Sequence, residues 1–305
     1  MIEASYVALH ASGELSRRAA RASDMLAECR LCPRNCGVNR LAGETGVCDA
    51  GALARVSSYN DHHGEEPPIS GTNGSGTIFL THCNLKCIFC QNYPISHLGN
   101  GTDATAERLA GMMLELQRRG CHNINFVTPT HYMPQIVAAL DIAAGGGLII
   151  PIVWNCGGYE SLDAVRLLEG IVDIYMPDIK YSEEAPAVKL SRAPDYYEHA
   201  TAAISEMHRQ VGELEIDDDG IAVRGLLIRH LVLPGGLAGS RRSLEFIARE
   251  ISPDTFISVM EQYFPAHRAA QVPEMGRRIT AEEYDEVVDM VDEIGLSNGW
   301  IQGGD

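Results

Sequence analysis

The chain of 305 residues is long enough for one large α/β barrel or for two ordinary domains. Its 41 acidic and 24 basic side chains give a formal net charge of −17, which argues against nonspecific binding to nucleic acid or to anionic membranes. No apolar stretch approaches the roughly 18 residues that a membrane-spanning helix needs.

The N-terminus begins with an amphipathic helical segment up to Ala22, and it lacks the basic region and apolar run of a signal peptide. We therefore expect a cytoplasmic protein, with neither nucleic acid nor a membrane as its partner. A chain of this length folds without disulfides or metals, so its nine cysteines point to another role. In the reducing cytosol, clustered cysteines bind metal more often than they form disulfides.

A cysteine-rich stretch follows this helical segment, and its spacings are x2, x3 and x11 with glycine turns between them. Four thiolates in such a pattern match a closed site, either zinc or a [4Fe–4S] cluster. A cluster could relay electrons inward, whereas zinc would only hold the extension together, and the sequence leaves both metals open. The four cysteines are Cys29, Cys32, Cys36 and Cys48. Residues 49–76 are rich in turn formers, and their last part, 69–76, is predicted to be loop.

From residue 77 onward, short apolar strand patterns alternate with helical ones, which implies a parallel sheet with right-handed crossovers. Six strand–helix units predict an incomplete (β/α)6 TIM-like barrel over 77–305, preceded by an N-terminal cysteine-rich extension over 1–76. The active site of such a barrel lies at the C-terminal ends of its strands. The predicted strands are 77–81, 123–127, 148–154, 171–176, 225–233 and 256–260, and the predicted helices are 105–119, 131–144, 161–169, 195–211, 240–250 and one that begins at Thr280.

Two local signals complete the prediction of secondary structure. The segment 213–233 is predicted to be a hairpin with its turn at 217–220, because acidic residues and a glycine separate two strand patterns. This turn lacks the spaced ligands of a calcium loop. Thr280 and Glu283 have the spacing of a capping box at the start of the last helix.

A three-cysteine loop follows directly after the first barrel strand, with Cys83, Cys87 and Cys90 in the spacing C-x3-C-x2-C. Three thiolates can bind three corners of a [4Fe–4S] cubane and leave the fourth iron without a protein ligand. Cubanes normally take four thiolates, so an open iron indicates a catalytic cluster. The alternatives are reduced core cysteines or a zinc site that lacks its fourth ligand.

Residues 77–92, Thr-Ile-Phe-Leu-Thr-His-Cys-Asn-Leu-Lys-Cys-Ile-Phe-Cys-Gln-Asn, resemble the signature loop of the radical S-adenosylmethionine (SAM) superfamily. Phe89 stands at the aromatic position before the last cysteine. The resemblance extends over most of the chain and is closest to the pyruvate formate-lyase activating enzymes, within them to the PflX-like branch. That branch carries a similar N-terminal cysteine stretch.

The resemblance implies an enzyme that chelates SAM at the open iron and cleaves it reductively to a 5′-deoxyadenosyl radical, which removes a hydrogen atom from a substrate. It implies flavodoxin or ferredoxin as the reductant. It also implies a glycyl-radical enzyme as the partner, whose backbone glycine would supply the hydrogen. A small metabolite or another peptide is an alternative substrate. A non-catalytic iron–sulfur electron carrier is an alternative function.

The resemblance assigns roles to polar residues that follow two of the predicted strands. Asp178 and Lys180 lie two apart on an extended strand, so both face the barrel mouth. Asp178 would contact the SAM ribose or a monovalent cation, and Lys180 would contact the SAM carboxylate. Asn155 replaces an acidic residue of the family, and its amide would weaken binding of that cation. The nearby Cys156 is interpreted as a small packing residue.

Four further residues come from the same resemblance. Asn92 ends the signature loop and is expected to contact SAM. Thr128 and Thr130 stand where the family has a turn that binds the methionyl ammonium, and their oxygens are suitable acceptors. His267 resembles a late-strand histidine that touches SAM, and with Lys180 it completes the expected catalytic residues. Arg229 and His230 alternate on their strand, so only one of them faces inward.

Overall fold

A mostly parallel β-sheet organises the structure, which is a computed structural model that describes residues 4–302. Within these residues the sheet has ten strands. Their bounds, in chain order from β1 to β10, are Ala54–His62, Ser75–Leu80, Thr102–Ala104, Ile124–Val127, Ile152–Cys156, Ile174–Pro177, Glu215–Ile216, Ala222–Leu231, Phe256–Met260 and Gly299–Ile301.

The strand order is β10-β9-β8-β6-β5-β4-β2-β1-β3, with β7 paired to β8. From β10 to β2 all neighbours are parallel, whereas β1 pairs antiparallel with both β2 and β3. This α/β arrangement is consistent with a TIM-like partial barrel. The parallel run also contains β10, a three-residue strand that the sequence did not predict, so its strand count differs from the predicted six.

Helices connect the parallel strands and cover the sheet. The helices α1 to α11 span Ser5–Ala11, Glu14–Asp24, Pro67–Ser70, Tyr93–Ser96, Ala106–Arg118, Met133–Gly145, Leu162–Leu167, Glu184–Ser191, Tyr196–Val211, Ser240–Phe246 and Ala281–Ile294. α5 packs against α6, and the N-terminal helix α2 also packs on α6. A π-helical turn, Ile247–Ile251, continues α10.

The central strands are buried on both faces. All residues of β5, β6 and β9 are buried, as expected of parallel strands that helices cover. Polar side chains with access to a ligand must therefore lie at the strand ends. This constraint concentrates the chemistry of the barrel at one edge.

Each of the six predicted strands overlaps an observed one, and the hairpin is confirmed by the antiparallel pairing of β7 with β8. In its turn, the Asp217 side chain accepts hydrogen bonds from two later backbone N–H groups. The capping box is also confirmed, because Thr280 accepts from the Glu283 N–H and Glu283 accepts from the Thr280 N–H.

Two features of the N-terminal part were not predicted. The predicted helical segment is divided into α1 and α2 at Gly13, whose φ of 73° interrupts the helix. Residues 54–62, a turn-rich stretch for which no strand was predicted, form β1. This strand lacks a clear alternation of apolar and polar residues, and its pairing with the adjacent β2 holds it in place.

No helix among residues 4–302 combines the length and the apolar composition that crossing a membrane requires.

Candidate active site

An open cleft with a volume of about 250 Å³ lies at the C-terminal ends of the parallel strands. The three-cysteine loop after β2 forms one wall, and the ends of β4, β5, β6, β8 and β9 contribute the others. The predicted residues on this cleft are Cys83, Cys87, Cys90, Asn92, Thr128, Asn155, Asp178 and Lys180, joined by Cys156, Arg229, Leu231, Met260 and Gln262 among others.

The sulfur atoms of the three-cysteine loop are held by hydrogen-bond donors. The Leu85 N–H donates to Cys83 Sγ over 3.3 Å. The Ser191 hydroxyl donates to Cys87 Sγ over 3.0 Å, and the Ser96 hydroxyl donates to Cys90 Sγ over 3.1 Å. Such donors favour thiolates, so the loop is arranged to present sulfur ligands to the cleft.

Burial opposes the ionisation of two of these thiols, Cys83 and Cys90, in the protein alone. It raises the pKa of Cys83 to about 12, and it also raises the pKa of Cys90. The positive charge of Lys180 acts in the opposite direction on the Cys90 thiol. The cysteines therefore become thiolates when a metal displaces their protons.

Opposite the cysteines, Arg229 connects the ends of three elements. Its Nε donates to Asp178 Oδ1 over 2.8 Å, and its Nη2 donates to Asn155 Oδ1 over 2.6 Å. Its Nη1 lies 3.4 Å from Glu65 Oε2, in the loop before α3. Lys180 completes the network through an ion pair with Asp178 Oδ2.

This network controls the charge state of its members. Burial pushes the pKa of Asp178 upward, but Arg229 and Lys180 outweigh it, so this pKa lies below its ordinary value. Burial lowers the pKa of Lys180, but the Asp178 charge outweighs it and the net shift is upward. Burial raises the pKa of Glu65 to about 7, against the attraction of Arg229. Asp178 and Lys180 thus remain a charged pair at neutral pH.

The position expected for a monovalent cation receives the guanidinium group instead. Asn155 and Asp178 were the expected ligands, and Arg229 donates to both of them. An arginine therefore supplies positive charge there, and the neutral oxygen of Asn155 is a suitable partner for it.

The structure places Thr130 away from the cleft, contrary to the expectation. Its hydroxyl donates to the Glu160 carboxylate in the protein interior. Thr130 lies in a short 3₁₀ turn at 130–132 that turns its side chain inward. Thr128, with a φ of 60°, lies on the cleft.

His267 also lies outside the lining of this cleft. Its ring stacks on Tyr93, with centroids 5.0 Å apart, and is tilted against His97 at 4.4 Å. A φ of 51° and these two rings fix the orientation of His267, and its contact with SAM stays a prediction.

Two important members of the network were not assigned a role by sequence reasoning. The alternation on β8 indicated that either Arg229 or His230 faces inward, and the structure selects Arg229. His230 is buried, with its ring nitrogens bonded to the Ile179 carbonyl and the Ser240 hydroxyl. Glu65 carries no sequence signal, because its loop is remote along the chain and reaches the site only through the fold.

The N-terminal cysteines line a separate, enclosed cavity together with Arg40 and His131. Among residues 4–302, no group of three or more His, Cys, Asp or Glu side chains is arranged to hold a single metal ion. This holds for the N-terminal cysteines as it does for the three-cysteine loop. The four side chains in this cavity are Cys29, Cys32, Cys36 and Cys48.

Residues 77–215, which include the three-cysteine loop, match the family model of the radical SAM superfamily. The uncharacterized protein MJ0674 of Methanocaldococcus jannaschii is 28% identical over 287 residues, which are 90% of this chain and 77% of that protein. Methylornithine synthase (PylB) aligns with 73% of this chain and 70% of its own at 13% identity and a TM-score of 0.39.

Proposed function

We propose that this chain is a radical SAM enzyme that holds a [4Fe–4S] cluster on Cys83, Cys87 and Cys90 and binds SAM in the adjoining cleft. The observation that carries the proposal is that these three thiols, inside the matched domain, share one cleft with Asp178 and Lys180. When bound, the cluster supplies the electron that cleaves SAM to methionine and a 5′-deoxyadenosyl radical.

The donor set fits such a cluster. Each of the three sulfur atoms accepts a hydrogen bond from a hydroxyl or a backbone N–H, as thiolate ligands of iron–sulfur clusters do. Cys156 also lines the cleft, but its thiol lies beside the buried Glu160 carboxylate. We therefore assign Cys156 to packing and leave three thiolates for the cluster.

Lys180 is the residue that we propose to bind the SAM carboxylate. In the structure it is paired with Asp178, and 17% of its side chain is exposed. Asp178 has a second cationic partner in Arg229, so Lys180 can turn to a ligand without leaving an unpaired buried carboxylate. Arg229 is thus a positioning residue, which keeps Asp178 ionised and fixed while Lys180 contacts SAM.

Asp178, Asn155, Thr128 and Asn92 offer further polar groups around the same cleft. We propose that Asp178 accepts hydrogen bonds from the SAM ribose and that Thr128 accepts one from the methionyl ammonium. The apolar side chains of Leu231 and Met260 complete the lining of the cleft.

The resemblance to the activating enzymes extends the proposal to a substrate and to a reductant. The hydrogen would come from a backbone glycine of a glycyl-radical enzyme, and flavodoxin or ferredoxin would supply the electron. A peptide with a deuterated glycine Cα tests this substrate, because deuterium would appear in 5′-deoxyadenosine. Deuterium transfer from a small metabolite, with none from the peptide, would favour the alternative substrate class.

The SAM cleavage itself is tested with anaerobically reconstituted protein, dithionite and SAM. We expect the wild type to form 5′-deoxyadenosine, Cys87→Ala to lose this activity and Cys156→Ala to retain it. The two variants remove the same atoms from two buried cysteines of one cleft, so they are matched controls. Absence of 5′-deoxyadenosine from the wild type, or equal loss in both variants, would contradict the proposal.

A further inference from the structure

The four N-terminal cysteines are brought together by the backbone of their own segment. The Cys29 N–H donates to the Val38 carbonyl over 2.9 Å, and the Gly37 N–H donates back to the Cys29 carbonyl over 3.0 Å. A Cβ at Gly46 would lie 2.7 Å from Cys36 Sγ, so glycine is needed there for the thiol to occupy the cavity. Residues 29–48 therefore fold into a thiol-lined cavity.

Arg40 places a positive charge in the wall of this cavity. It is 1% exposed, and its three hydrogen bonds all go to backbone carbonyls, two to Gly51 and one to His131. Within residues 4–302 no carboxylate lies within ion-pair distance of it. A buried charge without an opposite charge is costly, and neutral thiols do not supply one. The cavity therefore requires a negative charge.

His131 presents a second polar group that lacks a partner. Its Nε2 lies 2.8 Å from the Thr81 carbonyl, so Nε2 carries the hydrogen and donates it. The other ring nitrogen, Nδ1, is buried and has no hydrogen-bond partner among the described residues. The residue is 1% exposed and lines the same cavity as the cysteines. Nδ1 is then an acceptor, so it indicates an unfilled polar site beside the cysteines, whereas the need for a negative charge rests on Arg40.

We infer that Cys29, Cys32, Cys36 and Cys48 bind a second iron–sulfur cluster, whose negative charge neutralises Arg40. Four thiolates on a cubane carry a net negative charge, as the cavity requires. This site goes beyond the proposed function, because SAM cleavage uses only the three-cysteine loop.

An iron–sulfur cluster fits better than zinc. A single zinc ion draws its four sulfur atoms around one centre. No such group is formed by the residues that the structure describes. A cubane instead binds each thiolate on a different iron, which keeps the sulfur atoms further apart. The three-cysteine loop of the matched domain likewise forms no group for a single ion among the described residues.

The second site adjoins the first. Arg34, between two of the N-terminal cysteines, donates from Nε to the Asn84 carbonyl over 2.9 Å, within the three-cysteine loop. Asp49 and Lys86 form an ion pair between the same two segments. Removing one site can therefore disturb the other, and a test must measure each of them directly.

The test is the metal content of anaerobically purified and reconstituted protein. We expect about eight iron and eight sulfide ions per wild-type chain, and about four of each in the Cys83→Ala, Cys87→Ala, Cys90→Ala triple variant, with a cluster signal in electron paramagnetic resonance after reduction. Cys121→Ala, which alters a buried cysteine outside both cavities, should retain the wild-type content. One bound zinc without iron in the triple variant, or no metal there, would overturn the inference.

Arg40→Met in the triple variant tests the charge argument. Loss of the cation should lower the midpoint potential of the remaining cluster, because the reduced cluster is the more negative form. An unchanged potential would overturn the charge argument, and if this variant does not fold, the iron count of the wild type alone decides. If the triple variant binds iron but the wild type does not cleave SAM, only the proposed function is refuted. If the wild type cleaves SAM but the triple variant binds no iron, only the second cluster is refuted.

Discussion

Replacement of Arg229 by methionine should strongly destabilise the protein, because this side chain is the cation between two buried carboxylates. Its guanidinium lies 2.8 Å from Asp178 and 3.4 Å from Glu65, and only 16% of the side chain is exposed. Methionine keeps much of the length and apolar volume but no charge. The variant would leave Asp178 with Lys180 alone and Glu65 without a cation.

The magnitude follows from the cost of breaking a buried ion pair. Removal of one partner costs about 3–5 kcal/mol, since it leaves an uncompensated buried charge. For a chain of this size, about 2 °C of melting temperature is lost per kcal/mol, which gives a fall of about 6–10 °C. Adding Glu65→Gln to Arg229→Met should restore part of this loss, because it removes one of the two stranded negative charges.

Thermal unfolding of the anaerobic holoprotein at pH 8 measures both effects, and Glu65→Gln alone completes a double-mutant cycle. This pH lies above the pKa of Glu65 in the wild type, which burial raises to about 7, so its carboxylate is ionised there. Arg229 lowers this pKa, so its removal favours protonation of Glu65 in the variant. The reasoning would be refuted if Arg229→Met lowered the melting temperature by less than about 2 °C, the equivalent of roughly 1 kcal/mol. Strict additivity of the two substitutions would refute it as well.

Three further predictions concern individual side chains. Ser191→Ala should lower the midpoint potential of the cluster that we propose on the three-cysteine loop, because it removes the hydrogen-bond donor to Cys87 Sγ. Ser243→Ala, a change at another buried serine, should leave this potential unchanged, and potentiometric titration compares the two variants. Burial raises the pKa of Glu160 to about 7, so the native protein retains a proton that the unfolded chain loses. The free energy of unfolding should therefore fall as the pH rises from about 4.5 to 7. Glu160→Gln should remove up to about 3 kcal/mol of this pH dependence, measured by urea titrations, and an unchanged pH profile in the variant would contradict the prediction. Thr280→Ala removes the N-cap of α11 and should cost about 1 kcal/mol by the same measurement, so no loss would exclude a contribution from the cap.

The alternation of strands and helices and the three-cysteine loop could be predicted from sequence because their signals are local. The spacing of Cys83, Cys87 and Cys90 lies within eight residues, and the strand before them has an apolar pattern. The capping box at Thr280 is equally local. In each case the physical requirement, a ligand spacing or a helix cap, is met by neighbours in the chain.

The errors concern features that depend on distant contacts. β1 is a strand because it pairs with β2, and its own pattern is weak. Glu65 enters the site only because its loop folds beside Arg229. Thr130 was expected on the cleft, but the 3₁₀ turn after β4 directs it to Glu160, and single-sequence reasoning cannot foresee such a turn.

The position of Arg229 could be predicted only in part from the sequence. Alternation on β8 reduced the inward-facing residue to Arg229 or His230, and the sequence could not choose between them. The choice is made by charge, because Asp178 and Glu65 need a cation, whereas His230 finds neutral partners in the interior. A rule of sequence periodicity contains no information on such partners.

Electron–nuclear double resonance on the reduced holoprotein tests the central claim most directly. With SAM labelled with nitrogen-15 at its amino group, we predict a hyperfine coupling between this nitrogen and the cluster on Cys83, Cys87 and Cys90, because one iron has no protein ligand. The Cys29→Ala, Cys32→Ala, Cys36→Ala, Cys48→Ala variant would retain this coupling. A cluster that shows no coupling to SAM in either protein would contradict the account.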